Sequence, residues 1–179
     1  MSLDNNHATS AHRNIDVMNN PIVFKNKCLP AIMAGRDVIG IAKTGSGKTL
    51  AFLLPMLRHV QAQPDLYPYE SGPIGLVLAP ARELAVQIHM VCKTFCKNIG
   101  GLRSTAVYGG AGVAEQIGDL KRGAHVVVAT PGRMIDLLTM QSGKLLSLKR
   151  VSFVVMDEAG TCTLYHLVYV SMLYSLFHT

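Results

Sequence analysis

Two side chains near the middle of the first half of the chain are suited to acting on a phosphate group. Lys48 carries a positive charge that can reach the β and γ phosphates of a nucleotide, and the Thr49 hydroxyl can ligate Mg²⁺. They end a glycine-rich loop made of Ala42, Lys43, Thr44, Gly45, Ser46, Gly47, Lys48 and Thr49. Its glycines let the backbone curl so that successive N–H groups point at an anion. The spacing predicts a nucleotide-binding phosphate loop.

The elements on either side of this loop support that prediction. Residues 37–42 are mostly apolar and predict a short buried strand, and residues 50–54 begin an apolar helix in which Pro55 predicts a bend. A phosphate loop needs this order of strand, glycine loop and helix. The alternative is a glycine-rich turn between a strand and a helix in an ordinary α/β protein.

An acidic pair provides the second chemical group. Asp157 and Glu158 directly follow the apolar run 153–156, which predicts another buried strand. In a protein with a phosphate loop, an aspartate at such a strand end holds the Mg²⁺, and the next carboxylate can orient or deprotonate the attacking water. We therefore predict Thr49 and Asp157 as metal ligands, and Lys48 and Glu158 as catalytic residues. The alternative is a solvated acidic loop.

The remaining pattern predicts the scaffold. Short apolar runs alternate with segments of helical periodicity: the runs are 74–78, 104–108, 126–129 and 153–156, and the helices are 21–34, 82–97, 113–120 and one beginning at 130–131. This alternation predicts an α/β fold, a parallel sheet with helices on both faces. Ligands of such sheets lie at the carboxyl ends of the strands.

Composition limits the class of protein. Hydrophobic residues make up 49% of the 179 residues and charged residues 16%, which is typical of a globular domain, and the net charge of +6 suits a polyanionic partner. The four cysteines include no CxxC pair, which favours a reduced, intracellular protein. Cys92 and Cys96 stand four residues apart on a predicted helix and are expected to be core thiols rather than ligands.

Five motifs in order resemble those of the DEAD-box ATP-dependent RNA helicases, in their first RecA-like domain. They are AKTGSGKT at 42–49, APARELA at 79–85, GG at 109–110, TPGR at 130–133 and DEA at 157–159. The resemblance runs from about Leu29 to Ala159 and implies a RecA-like P-loop NTPase fold that uses ATP and Mg²⁺. The sequence of residues 37–59 and 83–89 is most similar to the pre-mRNA-splicing members of the family that act at branch-site recognition. That similarity implies a nuclear location and spliceosomal partners.

The resemblance also implies which residues hold RNA. Matching positions in the family contact the sugar-phosphate backbone without reading sequence; here they are Pro80, Arg82, Gly110, Thr130 and Arg133. A helix N-terminus, a hydroxyl and an arginine all favour phosphate. The alternatives are helix capping for Thr130 and ordinary surface charge for the two arginines.

Three positions depart from the family pattern. Lys25 stands where the family has the glutamine that reads adenine, and a lysine has donors but no acceptor. Ala81 replaces a threonine of the RNA-contacting motif, and Gly160 replaces the last aspartate of the DEAD motif. Because of Lys25, we expect the site to discriminate poorly between adenine and guanine. Because of Ala81 and Gly160, we expect the coupling between ATP and RNA binding to be impaired more than nucleotide binding itself.

The sequence predicts three segments. Residues 1–20 are polar and expected to be disordered, residues 21–160 form the ATP-binding domain, incomplete at its C-terminus, and residues 161–179 form an unrelated apolar tail. The family's SAT motif and second domain do not follow Ala159. By resemblance, the SAT strand would lie between the phosphate-loop strand and the strand before Asp157. The tail is therefore expected either to fill that position or to remain an exposed apolar segment.

Two functions remain open at this point. One is an enzyme fragment that binds Mg-ATP and RNA and alone hydrolyses ATP barely above background. The other is a non-catalytic module that binds RNA or a partner without ATP turnover. An unrelated P-loop ATPase would not explain TPGR and APARELA together. A membrane anchor is disfavoured because residues 164–177 are shorter than the roughly 20 residues of a membrane span and include His166.

Overall fold

The computed structural model describes residues 13–18, 21–43, 45–64, 72–110, 112–140 and 145–162. The chain divides into two compact units, Met1–Pro55 and Met56–Thr179. Each unit is described by itself below.

The first unit contains the strand that leads into the phosphate loop. Its elements are β1 (Arg13–Met18), α1 (Pro21–Met33), β2 (Val38–Ala42) and the start of α2 (Lys48–Gln61). β1 and β2 pair in parallel, with Arg13 opposite Val38. Phe24, Cys28 and Ala51 form a small buried cluster beside β2. Gly40 is required there, because a Cβ at this position would lie 2.9 Å from the Phe24 ring.

The strand β1 differs from the expectation that residues 1–20 are disordered. Its backbone pairs with β2, which supplies hydrogen-bond partners that the local sequence does not reveal. The segment also includes the β-branched residues Ile15 and Val17 among its polar residues, and these favour a strand. Residues 1–12, 19 and 20 lie outside the described part of the chain.

The second unit is built on a four-stranded parallel sheet. Its strands are β3 (Gly75–Leu78), β4 (Ser104–Val107), β5 (Val126–Ala129) and β6 (Phe153–Met156), in the spatial order β4-β5-β3-β6. The helices are α3 (Arg82–Ile99), α4 (Val113–Lys121) and α5 (Pro131–Thr139), and a 3-10 turn covers Ala159–Cys162. The predicted parallel α/β fold is confirmed, with boundaries within one or two residues of those expected.

Both faces of this sheet are covered. On one face Leu76 and Val127 pack with Leu120 of α4 and Leu137 of α5. On the other face a Cβ at Gly75 would lie 2.8 Å from Met56 Sδ of α2, so the helix and the sheet approach closely there. Burial on both faces explains why β3 and β5 are apolar throughout rather than alternating.

The strand register brings four chain segments to one edge of the sheet. Leu78 lies opposite both Ala129 and Met156, and Val107 also lies opposite Ala129, so the four strands end at the same level. The ladder continues one residue further: the N–H groups of Thr130 and Asp157 donate to the carbonyls of Val107 and Leu78 over 2.8 and 2.9 Å. We call this the carboxyl edge; it carries the residues that follow each strand.

Two strands leave apolar side chains exposed. Among the described residues β6 pairs only with β3, and its Val154 and Met156 are 47% and 46% exposed. β2 pairs only with β1 in the described part of the first unit, and Ile39 and Ile41 are more than half exposed. No helix within the described ranges is long and apolar enough to cross a membrane. Residues 163–179, and with them most of the predicted apolar tail, lie outside those ranges.

Candidate functional site

The backbone of the phosphate loop turns as its glycines predict. Gly45 and Gly47 have φ of +81° and +78°, in the left-handed region that glycine adopts without steric cost. Between them, the Ser46 N–H donates to the Lys43 carbonyl over 3.2 Å. Thr44 lies outside the described residues. The loop therefore curls back on itself directly before α2.

Lys48 and Thr49 belong to the first turn of α2. The helix begins at Lys48, two residues before the predicted start, and its first turn contains no acidic side chain. N–H groups in a first helical turn lack intrahelical acceptors and lie at the positive end of the helix dipole. The two side chains predicted to act on phosphate thus stand at a helix terminus that favours an anion.

Ser46 supplies a further observation about this loop. The residue is only 3% exposed, and its Oγ has no hydrogen-bond partner among the described residues. A buried hydroxyl without a partner costs free energy unless a ligand or water satisfies it. At Gly45, by contrast, a Cβ would meet no atom within 4 Å, so there is open space beside the loop. These features fit a bound phosphate group.

The acidic pair lies at the carboxyl edge of the second unit. Asp157 is half-buried, and its Oδ1 accepts a hydrogen bond from the Glu158 N–H over 3.1 Å. Glu158 has a φ of +52° and is the one non-glycine residue in the described part of the chain with a positive value. Such a conformation costs about 1–3 kcal/mol and is found most often at functional sites. The turn after β6 is thus strained at Glu158, one of the two residues predicted to be functional.

The phosphate loop and the acidic pair each carry an oxygen atom of the kind that Mg²⁺ prefers. Thr49 offers a hydroxyl in the first unit, and Asp157 offers a carboxylate in the second unit. Within the described ranges no group of three or more His, Cys, Asp or Glu side chains could hold a metal by itself.

Arg82 and Gly110, two of the predicted RNA-binding residues, are in direct contact. The Arg82 Nη1 donates to the Gly110 carbonyl over 3.2 Å, and the guanidinium lies 5.2 Å from the centre of the Tyr108 ring. Sequence reasoning missed Tyr108, although an aromatic residue directly before a glycine pair was a usable signal. The cation–π contact and the hydrogen bond together fix the orientation of the exposed guanidinium.

Thr130 does not cap its helix with its side chain. It occupies the N-cap position of α5, with Pro131 at the first helical position as predicted, but its hydroxyl makes no capping hydrogen bond. The expectation of a hydroxyl cap was wrong. Helix capping is therefore excluded as the role of this hydroxyl, which leaves it available at the carboxyl edge.

Arg133 carries its charge on a mostly buried side chain. Its side chain is 13% exposed, and its Nε lies 3.7 Å from Asp136 Oδ2, beyond hydrogen-bond distance. The same Nε is buried without a hydrogen-bond partner in the described part of the chain. A buried guanidinium nitrogen that lacks an acceptor fits an anionic ligand. Low exposure and the Nε without a hydrogen-bond partner favour an anionic ligand over ordinary surface charge at Arg133, which also forms an ion pair with Asp136. For the exposed Arg82 both alternatives stay open.

The structure describes all three residues that differ from the family pattern, Lys25, Ala81 and Gly160. Lys25 is half-buried on α1. Ala81 is the N-cap of α3 and makes no side-chain cap hydrogen bond, so the position has lost a hydroxyl without a replacement. Gly160 is exposed in the 3-10 turn, and a Cβ there would meet no atom within 4 Å. Packing among the described residues would therefore allow a side chain at position 160.

Comparisons with known proteins identify the family of this chain. The family model described as DEAD/DEAH box helicase matches residues 23–164. The chain belongs to the DEAD/DEAH box helicase family. Among curated relatives, it is 62% identical over 139 residues to the DEAD-box ATP-dependent RNA helicase 45 of Oryza sativa subsp. japonica. It is 57% identical over 150 residues to the pre-mRNA-processing ATP-dependent RNA helicase PRP5 of Gibberella zeae.

These matches cover most of the chain but little of each relative. They span 78% and 81% of this chain and 14% and 12% of the two relatives. The crystal structure of the yeast DEAD-box splicing factor Prp28 matches 76% of this chain and 31% of that one, at 34% identity and a TM-score of 0.67. The RecA-like fold of this family, predicted from the motifs, is thereby confirmed.

Proposed function

We propose that the chain is the ATP-binding and RNA-binding N-terminal domain of a DEAD-box RNA helicase that couples ATP hydrolysis to RNA remodelling in pre-mRNA splicing. The carboxyl edge of the second unit is the observation that carries this proposal. There the strand register gathers Pro80, the Arg82–Gly110 pair and Thr130 around the sheet that also ends in Asp157. The reaction type, ATP hydrolysis coupled to RNA remodelling, is inferred from membership of the family.

The phosphate loop, residues 42–49, is proposed to hold the nucleotide. Its N–H groups and the first turn of α2 bind the phosphates, and Lys48 neutralises charge on the β and γ groups. Mg²⁺, when bound through Thr49 and Asp157, supplies a positive charge that stabilises the phosphates during transfer. Glu158 is proposed to orient and deprotonate the attacking water.

RNA is proposed to bind through its backbone at the carboxyl edge. Arg82 and Arg133 provide charge for phosphates, while Thr130 and the Gly110 turn provide polar groups at the strand ends. None of these residues presents an arrangement that reads base edges, so binding is expected to be independent of sequence. The net charge of +6 favours the same polyanion.

Titration of the purified chain with fluorescent Mg-ATP tests the nucleotide site. We expect Lys48→Ala to weaken binding by at least about tenfold, equivalent to roughly 1.4 kcal/mol. Lys27→Ala is the matched control, because it removes the same charge from an exposed position on α1. Asp157→Asn should weaken binding in the presence of Mg²⁺ and have little effect in EDTA. Equal affinities for wild type and Lys48→Ala would refute the site.

The second candidate, a module that binds RNA without turning over ATP, is favoured by Gly160 and Ala81. Each of these positions lacks a polar side chain that the family pattern contains. An arginine that reaches the γ-phosphate can be worth about 10³–10⁵ in rate, and the two arginines within the five motifs, Arg82 and Arg133, are assigned here to RNA instead. We expect ATP turnover barely above background and no duplex unwinding by these residues alone. RNA-stimulated turnover that Glu158→Gln abolishes would favour the enzyme instead.

The domain limits are proposed as 21–160 for the ATP-binding domain and 161–179 for a separate apolar segment. Among the described residues β6 pairs only with β3, which supports a search for a second strand partner in that segment. Removing residues 161–179 provides the test. A lower melting temperature would show that the segment supports the sheet, and an unchanged one with better solubility would show that it does not.

Splicing proteins and a nuclear location are proposed from the relatives named as pre-mRNA-processing helicases. Crosslinking of the tagged chain in nuclear extract, followed by sequencing of the attached RNA, tests this role. We expect enrichment of spliceosomal RNA or pre-mRNA over ribosomal RNA, and loss of the signal in Arg82→Gln. Uniform crosslinking to all RNA classes would contradict a splicing role and leave only backbone binding.

A further inference from the structure

Two buried cysteines on α3 lie within reach of each other. The Sγ atoms of Cys92 and Cys96 are 3.9 Å apart, and the two residues are 0% and 3% exposed. They are separated by one helical turn, so their side chains lie on the same face of α3. Ser104 of β4 lies beside both thiols, and its buried hydroxyl has no hydrogen-bond partner among the described residues. The arrangement is a thiol pair with a hydroxyl beside it.

A pocket of about 270 Å³ reaches this pair from one side only. Cys96 contributes to its wall, whereas Cys92 does not. The charged groups that line it are Lys93, Lys97, Arg103, Arg122 and Asp119, of which Asp119 is ion-paired with Arg122. The pocket is therefore basic on balance and large enough for a small oxidant. It provides a path to Cys96 that the low exposure of the residue would otherwise conceal.

The two thiols differ in acidity. A hydrogen bond from the Cys92 thiol stabilises the Cys96 thiolate and lowers the pKa of Cys96 to about 7, with the Ser104 hydroxyl acting in the same direction. The same contact, together with burial, raises the pKa of Cys92 well above its ordinary value. Near neutral pH a substantial fraction of Cys96 is thus the nucleophilic thiolate while Cys92 keeps its proton.

We propose that Cys96 and Cys92 form a peroxide-sensitive dithiol, in which Cys96 is oxidised through the basic pocket and Cys92 resolves it to a disulfide. This site is independent of the nucleotide and RNA functions proposed above. The Cys96 thiolate attacks one oxygen of hydrogen peroxide, the O–O bond breaks, and hydroxide leaves. The Cys92 sulfur then attacks the Cys96 sulfenic acid; an S–S bond forms and the S–O bond breaks. The departing hydroxide takes the Cys92 proton, so two thiols are oxidised and one peroxide is reduced to two waters.

The bond requires the end of α3 to unwind locally. A disulfide needs Cβ atoms about 3.5–4.5 Å apart, whereas Cβ atoms four residues apart on a helix are about 5–6 Å apart. The sulfurs must approach from 3.9 Å, and Cys96 lies in the last turn of α3, which ends at Ile99, where helices fray most readily. No oxidant other than a hydroperoxide is needed.

The test uses the folded chain and hydrogen peroxide, with Cys162→Ser to remove the thiol at the end of the described chain. Remaining thiols are alkylated and the protein is digested with trypsin, which cuts after Lys93 and so places the two cysteines in separate peptides, 83–93 and 94–97. We expect these peptides to appear joined by a disulfide. Cys28 is the internal comparison, because it is also buried but burial raises its pKa, and it should react much more slowly.

Variants separate the two roles. Cys92→Ser should stop the reaction at a sulfenic acid on Cys96, detectable with dimedone, and Cys96→Ser should leave Cys92 unreacted. Since the thiolate is the reactive form, the rate should rise with pH through about 7. Circular dichroism shows whether each variant is folded. The disulfide-joined peptides from the wild-type chain test the proposal even if a variant fails to fold. Absence of the joined peptides, oxidation of Cys96 no faster than Cys28, or a wild-type reaction that stops at the sulfenic acid would each overturn the proposal.

Discussion

Arg82 at the start of α3 donates a hydrogen bond to the carbonyl of Gly110, 28 residues later in the chain, over 3.2 Å. Gly110 has a φ of +77°, and a Cβ at this position would lie 2.9 Å from the same Nη1 atom. The guanidinium can therefore hold its position only because residue 110 has no side chain. This pair links the helix after β3 to the turn after β4 at the carboxyl edge.

The first prediction is that Gly110→Ala is destabilising and also impairs RNA binding. A left-handed backbone costs a non-glycine residue about 1 kcal/mol, which corresponds to a melting temperature lower by about 2–4 °C in a chain of this size. The added methyl group also displaces the Arg82 guanidinium, so RNA affinity should fall. Differential scanning calorimetry and fluorescence anisotropy with a single-stranded RNA measure the two effects.

Gly109→Ala is the matched control for this prediction. Gly109 precedes Gly110 directly, but its φ is not positive and a Cβ there would meet no atom within 4 Å. It should leave both the melting temperature and the RNA affinity nearly unchanged. Equal losses in the two variants would show that the Arg82–Gly110 contact is not what matters.

Arg82→Gln is predicted to weaken RNA binding to the same extent for every RNA sequence. A phosphate contact carries no base information, and its loss reduces the slope of log affinity against log salt concentration by about 1. Arg58→Gln removes the same charge from an exposed position on α2 and should change affinity much less. Anisotropy titrations at several salt concentrations provide both values. An unchanged slope in Arg82→Gln would place this side chain outside the phosphate contacts.

Local chemistry made the conformation of the phosphate loop and the place of the acidic pair predictable from the sequence. The φ values of Gly45 and Gly47 and the position of Asp157 after a buried strand follow from residue types over a few neighbouring positions. The same holds for the parallel sheet, because apolar runs with intervening helical patterns have few other solutions. The largest boundary errors were two residues, at the start of α2, which is Lys48 rather than Leu50, and at the end of α3, which is Ile99 rather than Lys97.

Much of what the sequence did not predict depends on distant contacts. The contact between Arg82 and Tyr108 joins segments that are far apart in the chain, and the residues next to Arg133 do not reveal that its side chain is 13% exposed. The structure does not explain the missing hydroxyl cap at Thr130. The strand β1 is similar to the Arg82–Tyr108 contact, since its partner β2 lies some 25 residues later. Local propensity is a weak guide where tertiary pairing supplies the hydrogen bonds.

The third prediction concerns base selectivity. With Lys25 in place of the glutamine that the family motif contains, ATP and GTP should bind with affinities within about a factor of three, since a lysine ammonium cannot both donate and accept. Lys25→Gln should increase the preference for ATP, whereas Lys27→Gln, the same change at an exposed neighbouring position on α1, should not. Competition titrations with the two nucleotides measure the ratio. A strong ATP preference in the wild type would show that Lys25 does not decide selectivity.

Stability is predicted to fall below about pH 6.5 because of His89. Burial lowers the pKa of this histidine; the Lys93 charge acts in the same direction, while Asp119 and the hydrogen bond to the Ser104 carbonyl oppose it. In the window between its folded pKa and 6.5, the unfolded chain binds the proton and the folded chain does not, so lowering the pH favours unfolding. Above pH 6.5, His89 is neutral in both the folded and the unfolded chain, and it no longer lowers the free energy of unfolding.

Urea denaturation between pH 5 and 8 provides the measurement for His89, with about 6.5 as the expected onset of the decline. His89→Gln keeps a hydrogen-bond donor but cannot be protonated, so its stability should depend less on pH in this window. The matched control is His59→Gln, which removes a histidine that contacts Ser152 instead. A pH dependence that His89→Gln leaves unchanged would assign the effect to other groups.

The last prediction concerns the open edge of β6. In the described part of the chain this strand pairs only with β3, so its outer edge has no strand partner among those residues, and the exposed Val154 lies on it. Such an edge pairs with another copy unless it carries a charge, and lysine is the residue that most often blocks this pairing in natural sheets. We expect the wild type to associate as its concentration rises in sedimentation velocity experiments, and Val154→Lys to remain monomeric. Met90→Lys makes the same kind of change at a residue that is 64% exposed on α3, away from any strand, and should leave the association intact. Association that persists in Val154→Lys, or that both variants abolish equally, would show that the sheet edge is not the contact.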